Sequence, residues 1–529
     1  MDMDRRQFLE FLSASAAFSF FGGALTSCTS LEKWARGMAF KPLEASTKDD
    51  LVLAEGFSYK PLISWGEAIN SKGQTFGFNN DYIQWSELSG SSSLVLWVNH
   101  EYVDPLIVSQ SKRGESRTKA QIENEMRQVG GSLLKVDPSG SSWKVDFSSI
   151  YNRRLDAFSK IPFSNGEIIA GSSVAIGTLA NCAGGKTPWG SFLTCEENYD
   201  GFVGEVEFTN SGKRILNSRV SKKYGWSKHY PRPPEHYGWV VEVNPLTGEA
   251  VKHTGLGRFA HECATCTISK SGELVVYSGD DSDDEHLYKF VSDSRTSLKS
   301  GKLYVASLEQ GRWILLDRES DARLKAKFPT QLDLLIRVRE AAKILGATPL
   351  DRPEDIEIHP HTGDVIVALT NNKKKGNPFG SLLKIVEKGA DSSSLDFESS
   401  TLLAGGEESG FSCPDNLAFD GRGDLWFTTD VSNDSLHEDP YKFLGNNSLF
   451  YLPLSGAGMG RAHRVASGPV GSELTGPCFS PDGNTLFLSV QHPGEKSPSL
   501  KELTSHWPGG GDSLPKPSVV MVDVRKVFS

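Results

Sequence analysis

Residues 181–198 read Asn-Cys-Ala-Gly-Gly-Lys-Thr-Pro-Trp-Gly-Ser-Phe-Leu-Thr-Cys-Glu-Glu-Asn. Cys182 stands in a turn-forming Asn-Cys-Ala-Gly-Gly element. A short apolar run follows, then two adjacent carboxylates, Glu196 and Glu197. A thiolate and two carboxylates at the ends of one strand can reach a shared metal cluster. Thiolate sulfur is a soft ligand and carboxylate oxygen a hard one, so the set suits a transition metal such as iron.

Other polar clusters are bounded by glycine, proline or aromatics. They are Asn79-Asn80-Asp81, Asn99-His100-Glu101, Gly257 to Glu262, Asp351 to Asp355, Ser412 to Asn416, and Gln491 to Glu495. Their carboxylate and carboxamide oxygens are hard ligands of the kind calcium takes. Taken singly, each reads more simply as a turn cap, and a lone His100 as a packing residue. Cys263-Ala-Thr-Cys266 has the spacing of half a zinc site, but no second pair completes it, so both read as structural cysteines. The acidic run 280–285 lacks EF-hand spacing, and Asp283 to Glu285 read as a solvated loop. No Gly-x-Ser-x-Gly elbow, P-loop or dinucleotide fingerprint occurs. That counts against the serine hydrolases and nucleotide enzymes that use them.

Such scattered groups need a scaffold that gathers strand ends. The chain repeats one device: an extended run, a Gly/Asp/Asn/Pro turn, another extended run. The turns fall at 136–140, 244–248, 269–272, 359–363, 420–423 and 480–483. Gly and Asn there supply the positive φ that tight hairpins need. Repeated hairpins through one long chain predict an all-β fold, a β-propeller of six blades with helical insertions. An array of β-sandwiches would explain the hairpins but not the polar motifs at strand ends. Apolar spacing predicts helices over 330–345, between Pro329 and Gly346, and over 118–129, before Gly130-Gly131. Length alone suggests two to four domains, but no interdomain linker is visible. Residues 1–28 are expected to be an export signal, 29–50 a linker, and 51–529 a single propeller domain.

Arg5-Arg6-Gln7-Phe8-Leu9 is a twin-arginine pattern, followed by a weakly apolar stretch from Phe11 to Leu25. That stretch is too short and too rich in Ser, Ala and Gly to span a bilayer stably. Leu25-Thr26-Ser27-Cys28 has the form of a lipobox, which would leave Cys28 as a lipid-bearing N-terminus. The expected location is the cell envelope, in the periplasm or at the outer membrane or cell surface. The net charge of −10 and the lack of a basic stripe argue against nucleic acid as a ligand. Seven cysteines in 529 residues do not make a stapled scaffold. The expected state is a monomer.

These motifs together resemble the PhoX-type alkaline phosphatases. The resemblance runs through Gly177 to Gly185, Thr187 to Gly190, Glu196 to Asn198 and Tyr237 to Glu242. It continues in Gly257 to Glu262, Gly279 to Asp281, Tyr288 to Phe290 and Arg352 to Asp355. It ends in Thr370 to Asn372, Pro414 to Asn416 and Gln491 to Gly494. It implies a β-propeller whose mouth holds Fe(3+) and Ca(2+) joined by an oxo bridge and hydrolyses phosphate monoesters. By that resemblance Cys182 is the thiolate ligand, and Glu197, Glu262, Glu354 and Asp415 are carboxylate ligands. Arg352 grips phosphate, and Arg352, Cys182 and Glu354 form the catalytic core. Asn181, Glu196 and Glu101 would be further ligands or their supports. Lys186, Cys195 and His286 depart from the family pattern without removing a ligand.

Two other readings fit the same scaffold. A calcium-dependent propeller lactonase or phosphotriesterase would need no iron and no Cys182. A non-catalytic envelope binding protein would tolerate loss of Arg352 and Glu354.

Overall fold

The computed structural model describes residues 40–209, 212–217 and 223–528. The twin-arginine pattern, Cys28 and the first part of the expected linker lie outside them. Six antiparallel sheets follow one another along the chain and form the blades of a propeller. Their innermost strands are Asn80–Glu87, Asn181–Lys186, Thr265–Ile268, Pro353–Ile358, Pro414–Phe419 and Glu473–Phe479. Each packs beside the next, and the sixth returns to the first.

The second strands read as unbroken apolar runs. Leu94–His100 and Thr485–Gln491 are buried throughout. A strand covered on both faces by neighbouring blades has no solvent face, so it shows no alternation. The outer strand Phe397–Ala404 is mostly exposed and carries Glu-Ser-Ser-Thr. All six turns expected from the sequence join paired strands.

The ring is closed by a strand from the other end of the chain. Ser58–Ser64 pairs with Ser518–Asp523 as the outer strand of the sixth blade. Val52–Leu53 adds to the outer edge of the fifth. The C-terminal part of the expected linker also packs on the propeller. Phe40 is buried against Phe57 and Tyr451, and the Leu43 N–H donates to Arg464 O.

Both expected helices form, with one correction. Lys119–Gln128 starts at a capping box between Thr118 and Gln121. The second is not continuous: Gln331–Ile336 and Val338–Leu345 meet at Arg337, whose φ −116°, ψ 36° is not helical. Its Thr330 capping box and left-handed Gly346 stand where the sequence puts its ends. Among the described residues no helix is long and apolar enough to cross a membrane.

Candidate metal centre

Every blade contributes a ligand-type side chain at the head of its innermost strand. These are Asp81, Cys182, Glu262, Glu354, Asp415 and Glu473. In five blades the residue two positions earlier is left-handed: Asn79, Ala180, Arg352, Cys413 and Gly471. Four of those five are not glycine, so the backbone is strained where the chain enters the mouth. In four blades the ligand-type residue also lies inside a register shift, at 80/83, 181/184, 353/356 and 414/417. A bulge re-aims a side chain, and here it accompanies Asp81, Cys182, Glu354 and Asp415.

A second ring comes from the ends of the second strands. Glu101, Glu197, Asp281, Asp430 and His492 all lie within two residues of a second strand's end. Together the rings surround a cavity of 330 Å³. Three sets of donor atoms lie within 4.8 Å of one another: Asp81–Glu101–Cys182, Cys182–Glu197–Glu262 and Glu262–Glu354–Asp415. Shared Cys182 and Glu262 join the three into one chain of sites.

The carboxylates are buried and crowd each other. Burial, and then the neighbouring carboxylate Asp281, raises Glu197 well above the usual range. Burial and Glu354 raise Glu262 and Asp415 likewise, and burial with Asp281 raises Glu354. Burial, with Asp81 and Glu262 behind it, pushes up the Cys182 thiol. Neutral donors orient several of the acids. Thr370 Oγ1 donates to Glu354 at 2.7 Å, Asn198 Nδ2 to Glu197 at 2.7 Å and Asn416 Nδ2 to Asp415 at 3.0 Å. Gln491 Nε2 donates to both Asp81 and Glu101 at 3.0 Å. Yet Asp81 Oδ1 and Glu262 Oε2 are buried with no hydrogen-bond partner. Buried acids with unpaired oxygens fit bound cations, which would repay the desolvation that protein donors leave open.

Arg352 stands among the acids of the mouth. Its Nε and Nη2 hold both oxygens of Asp281 at 2.8 and 2.9 Å, and Nη2 also lies 2.8 Å from Glu354. These charges keep the Arg352 guanidinium firmly protonated against its burial. Nη1 makes no hydrogen bond to protein among the described residues and remains an available donor.

The structure separates the residues expected at the site. It brings together Cys182, Glu197, Glu262, Glu354, Asp415, Glu101 and Arg352. Glu196 is a correction. It pairs with fully buried Lys252 at 2.6 Å and accepts the N–H groups of Leu179 and Trp239 at 3.3 Å. Asn181 is another, since its amide bonds Thr178 and Thr194 at 2.8 Å and leaves no atom for the mouth. Neighbours on an extended chain point to opposite faces, so of Asn181-Cys182 and Glu196-Glu197 one member each faces the mouth. Asp81, Glu473, Asp281, Asp430 and His492 were not among the expected ligands. In the acidic run, Asp280 is taken by Arg339, while Asp283 and Asp284 pair with Lys374 and Lys375. Cys266 sits on the inner strand of the third blade and Cys263 between that strand and Glu262; both are free thiols and neither belongs to the three ligand groups.

Known proteins give these observations a family. The family described as alkaline phosphatase PhoX matches residues 38–494. Pseudomonas fluorescens PhoX, solved in complex with vanadate, a transition state analogue, is similar at 29% identity with a TM-score of 0.82. The similarity covers 92% of this chain and 98% of that one. A protein of unknown function from Dyadobacter fermentans aligns at 10% identity and TM-score 0.39, over 89% and 99% of the two chains. A gluconolactonase from Xanthomonas campestris aligns at 9% and 0.33, over 91% and 97%. Likeness at that level says nothing of this chain's chemistry. Among curated proteins no sequence matches. The PhoX match spans the heads of all six blades and every member of the three ligand groups, and the chain belongs to the alkaline phosphatase PhoX family, the phosphomonoesterases of this propeller fold.

Proposed function

We propose that this chain releases inorganic phosphate from organic phosphate monoesters at a cluster of iron and calcium ions held in the propeller mouth. One observation carries the metal assignment: three contiguous ligand groups, two containing the Cys182 sulfur and one built only of oxygens. Sulfur with carboxylates suits a transition metal, which the PhoX resemblance makes ferric iron, and oxygen alone suits calcium. Asp81, Glu101, Glu197 and Glu262 would complete the sites around Cys182. Glu354 and Asp415 would share Glu262 in the oxygen site. When bound, such cations supply Lewis acidity toward a phosphate ester and an attacking oxygen.

The protein's own part is positional. The free Nη1 edge of Arg352 offers directed donors to a phosphoryl oxygen, while its other edge is fixed on Asp281. Fixed donors need no reorganisation as charge develops. Among the described residues no serine or cysteine pairs with a histidine in the mouth; His492 faces Glu473 and Gly471 O instead. The twin-arginine pattern and Cys28 support export and lipid anchoring in the cell envelope.

The test is elemental analysis of protein purified without chelator, with phosphate release from an aryl phosphate assayed on the same sample. Iron with calcium, and activity lost on chelation, is the expected result. Calcium alone with no phosphate release would move the protein to the lactonase-like or binding readings.

A further inference from the structure

A cavity of 690 Å³ lies beside the metal mouth and shares Tyr102, Lys223 and Glu495 with it. It is lined by the loop 112–117 on one side and by residues 223–228 on the other. Its charges divide into two classes. The arginines are committed. Arg113 clasps both oxygens of Asp104 at 2.8 Å and donates to the backbone oxygens of Glu495 and Ser497, while Arg117 pairs with Glu125 at 2.8 Å. Those bonds staple the lip in place.

The lysines are not committed. Lys112, Lys223 and Lys228 line the same space and are exposed. None has a carboxylate within 4 Å among the described residues, in contrast to Lys374, Lys375 and Lys343 elsewhere around the mouth. The acids on the cavity wall are engaged by other groups. Asp104 is held by Arg113, Glu495 by Tyr102 and Asn433 at 2.9 Å, and Glu115 by the Lys112 backbone N–H at 3.1 Å. Lys223 stands over Tyr102 at 5.4 Å from the ring centre, where the cation and the ring form one wall between cavity and mouth. On a chain of net charge −10, three ammonium groups at one cavity with no carboxylate partner among the described residues are a local reversal of sign.

We infer that this cavity is a leaving-group subsite that takes esters whose organic part carries a second anionic group, a carboxylate or a further phosphate. The inference rests on the phosphatase reading of the adjoining mouth. The phosphoryl group sits at the metal ligands and Arg352, and the organic part lies past Tyr102 and Lys223 toward Lys112 and Lys228. The cavity's size is that of a site for a small organic ligand. Its free charges are point donors on flexible stems, which suit an anion of variable position rather than one fixed planar partner.

The experiment uses ω-carboxyalkyl phosphates of increasing length and their methyl esters as substrates for the metal-loaded, full-length enzyme. Acid and ester differ in the remote charge and hardly at all in the scissile bond. At one or more lengths the acid should exceed its methyl ester in kcat/KM by about fivefold to tenfold at low salt, the scale of two exposed ion pairs. The advantage should shrink as salt rises. In Lys112→Gln/Lys228→Gln the ratio should fall toward one, and in Lys112→Glu/Lys228→Glu it should invert. Equal turnover of acid and ester at every length in the unmodified enzyme would overturn the subsite and leave the phosphatase reading standing. So would a preference that survives both double variants. Failure to release phosphate from either series by the metal-loaded enzyme would overturn the phosphatase reading and the subsite with it.

Discussion

The thiol of Cys182 lies between two buried carboxylates, 3.2 Å from Oε1 of Glu262 and 3.4 Å from Oδ2 of Asp81. It is the only sulfur in the three ligand groups and belongs to two of them. Its backbone is pinned as well, since Asn99 Nδ2 donates to both Cys182 O and Ala183 O. Cys182→Ser replaces a ligand that can ionise with one that hardly does. Iron content and turnover should fall together, the latter by more than the roughly 10–100-fold that loss of an outer partner costs a metal site. Elemental analysis beside a phosphate-release assay reads both, and full iron with full activity would remove the thiolate from the centre.

Arg352 holds Asp281 and Glu354 with one edge and offers the other to substrate. Arg352→Lys keeps the charge and loses the fork. The expected outcome is retained metal with KM raised about tenfold or more, because a directed pair of donors becomes a single point charge. Steady-state kinetics with elemental analysis decides it, and metal loss in this variant would make Arg352 a structural clamp only.

Glu196 and Glu197 are neighbours with opposite fates. Glu196→Gln breaks a buried ion pair with Lys252, whose amine burial pushes down to about 8. Denaturant unfolding should show a loss of about 3–5 kcal/mol, while metal content stays as in the unmodified protein. Glu197→Gln should do the reverse, keeping most of the stability and lowering the metal content.

Removing the metals should make stability depend on pH. Folding raises the acids Glu197, Glu262, Glu354 and Asp415 above their ordinary range, through burial first and mutual repulsion second. Above about pH 4 the folded chelated protein then holds more protons than the unfolded chain. By linkage that contribution is full below the ordinary carboxylate pKa and is lost as pH rises through the raised values. Thermal melts of chelated protein should fall as pH rises above the ordinary carboxylate range, while the loaded protein stays nearly level. A chelated protein with no such fall would mean that the acids are not repelling one another.

Asp81 belongs to one ligand group only, with Glu101 and Cys182. Asp81→Asn should therefore remove about one ion per chain and leave the Glu262–Glu354–Asp415 group loaded. Loss of every ion, or of none, would contradict the division into contiguous sites.

The blades were legible because turn chemistry is local: each of the six glycine-bearing turns identifies its own hairpin. The ligand heads were only half legible. Cys182 announces itself as a sulfur beside glycines, and Glu354 as an acid after Arg-Pro. Glu473 follows Gly471-Ser472, which read as an ordinary turn, and Asp81 follows two asparagines that read the same way. What unites them is a left-handed residue two positions earlier, which a sequence does not spell when four different residue types fill it. Glu196 and Asn181 could have been set aside, because side chains alternate along an extended chain and both cannot share a face with their neighbours. Lys252, the partner that takes Glu196, lies 56 residues away, and only the fold brings it near.

The strand that closes the ring gives the centre a birth date. Ser58–Ser64 is among the first of the described chain to leave the ribosome, and its partner Ser518–Asp523 among the last. Asp81 in the first blade and Glu473 in the sixth head adjoining inner strands, at the seam that this pair closes. A nascent chain can build blades one at a time, yet the strand that closes the ring is missing until residues 518–523 have been made. A chain cut short at the C-terminus would carry nearly all the ligands and still lack the closed ring that gathers them.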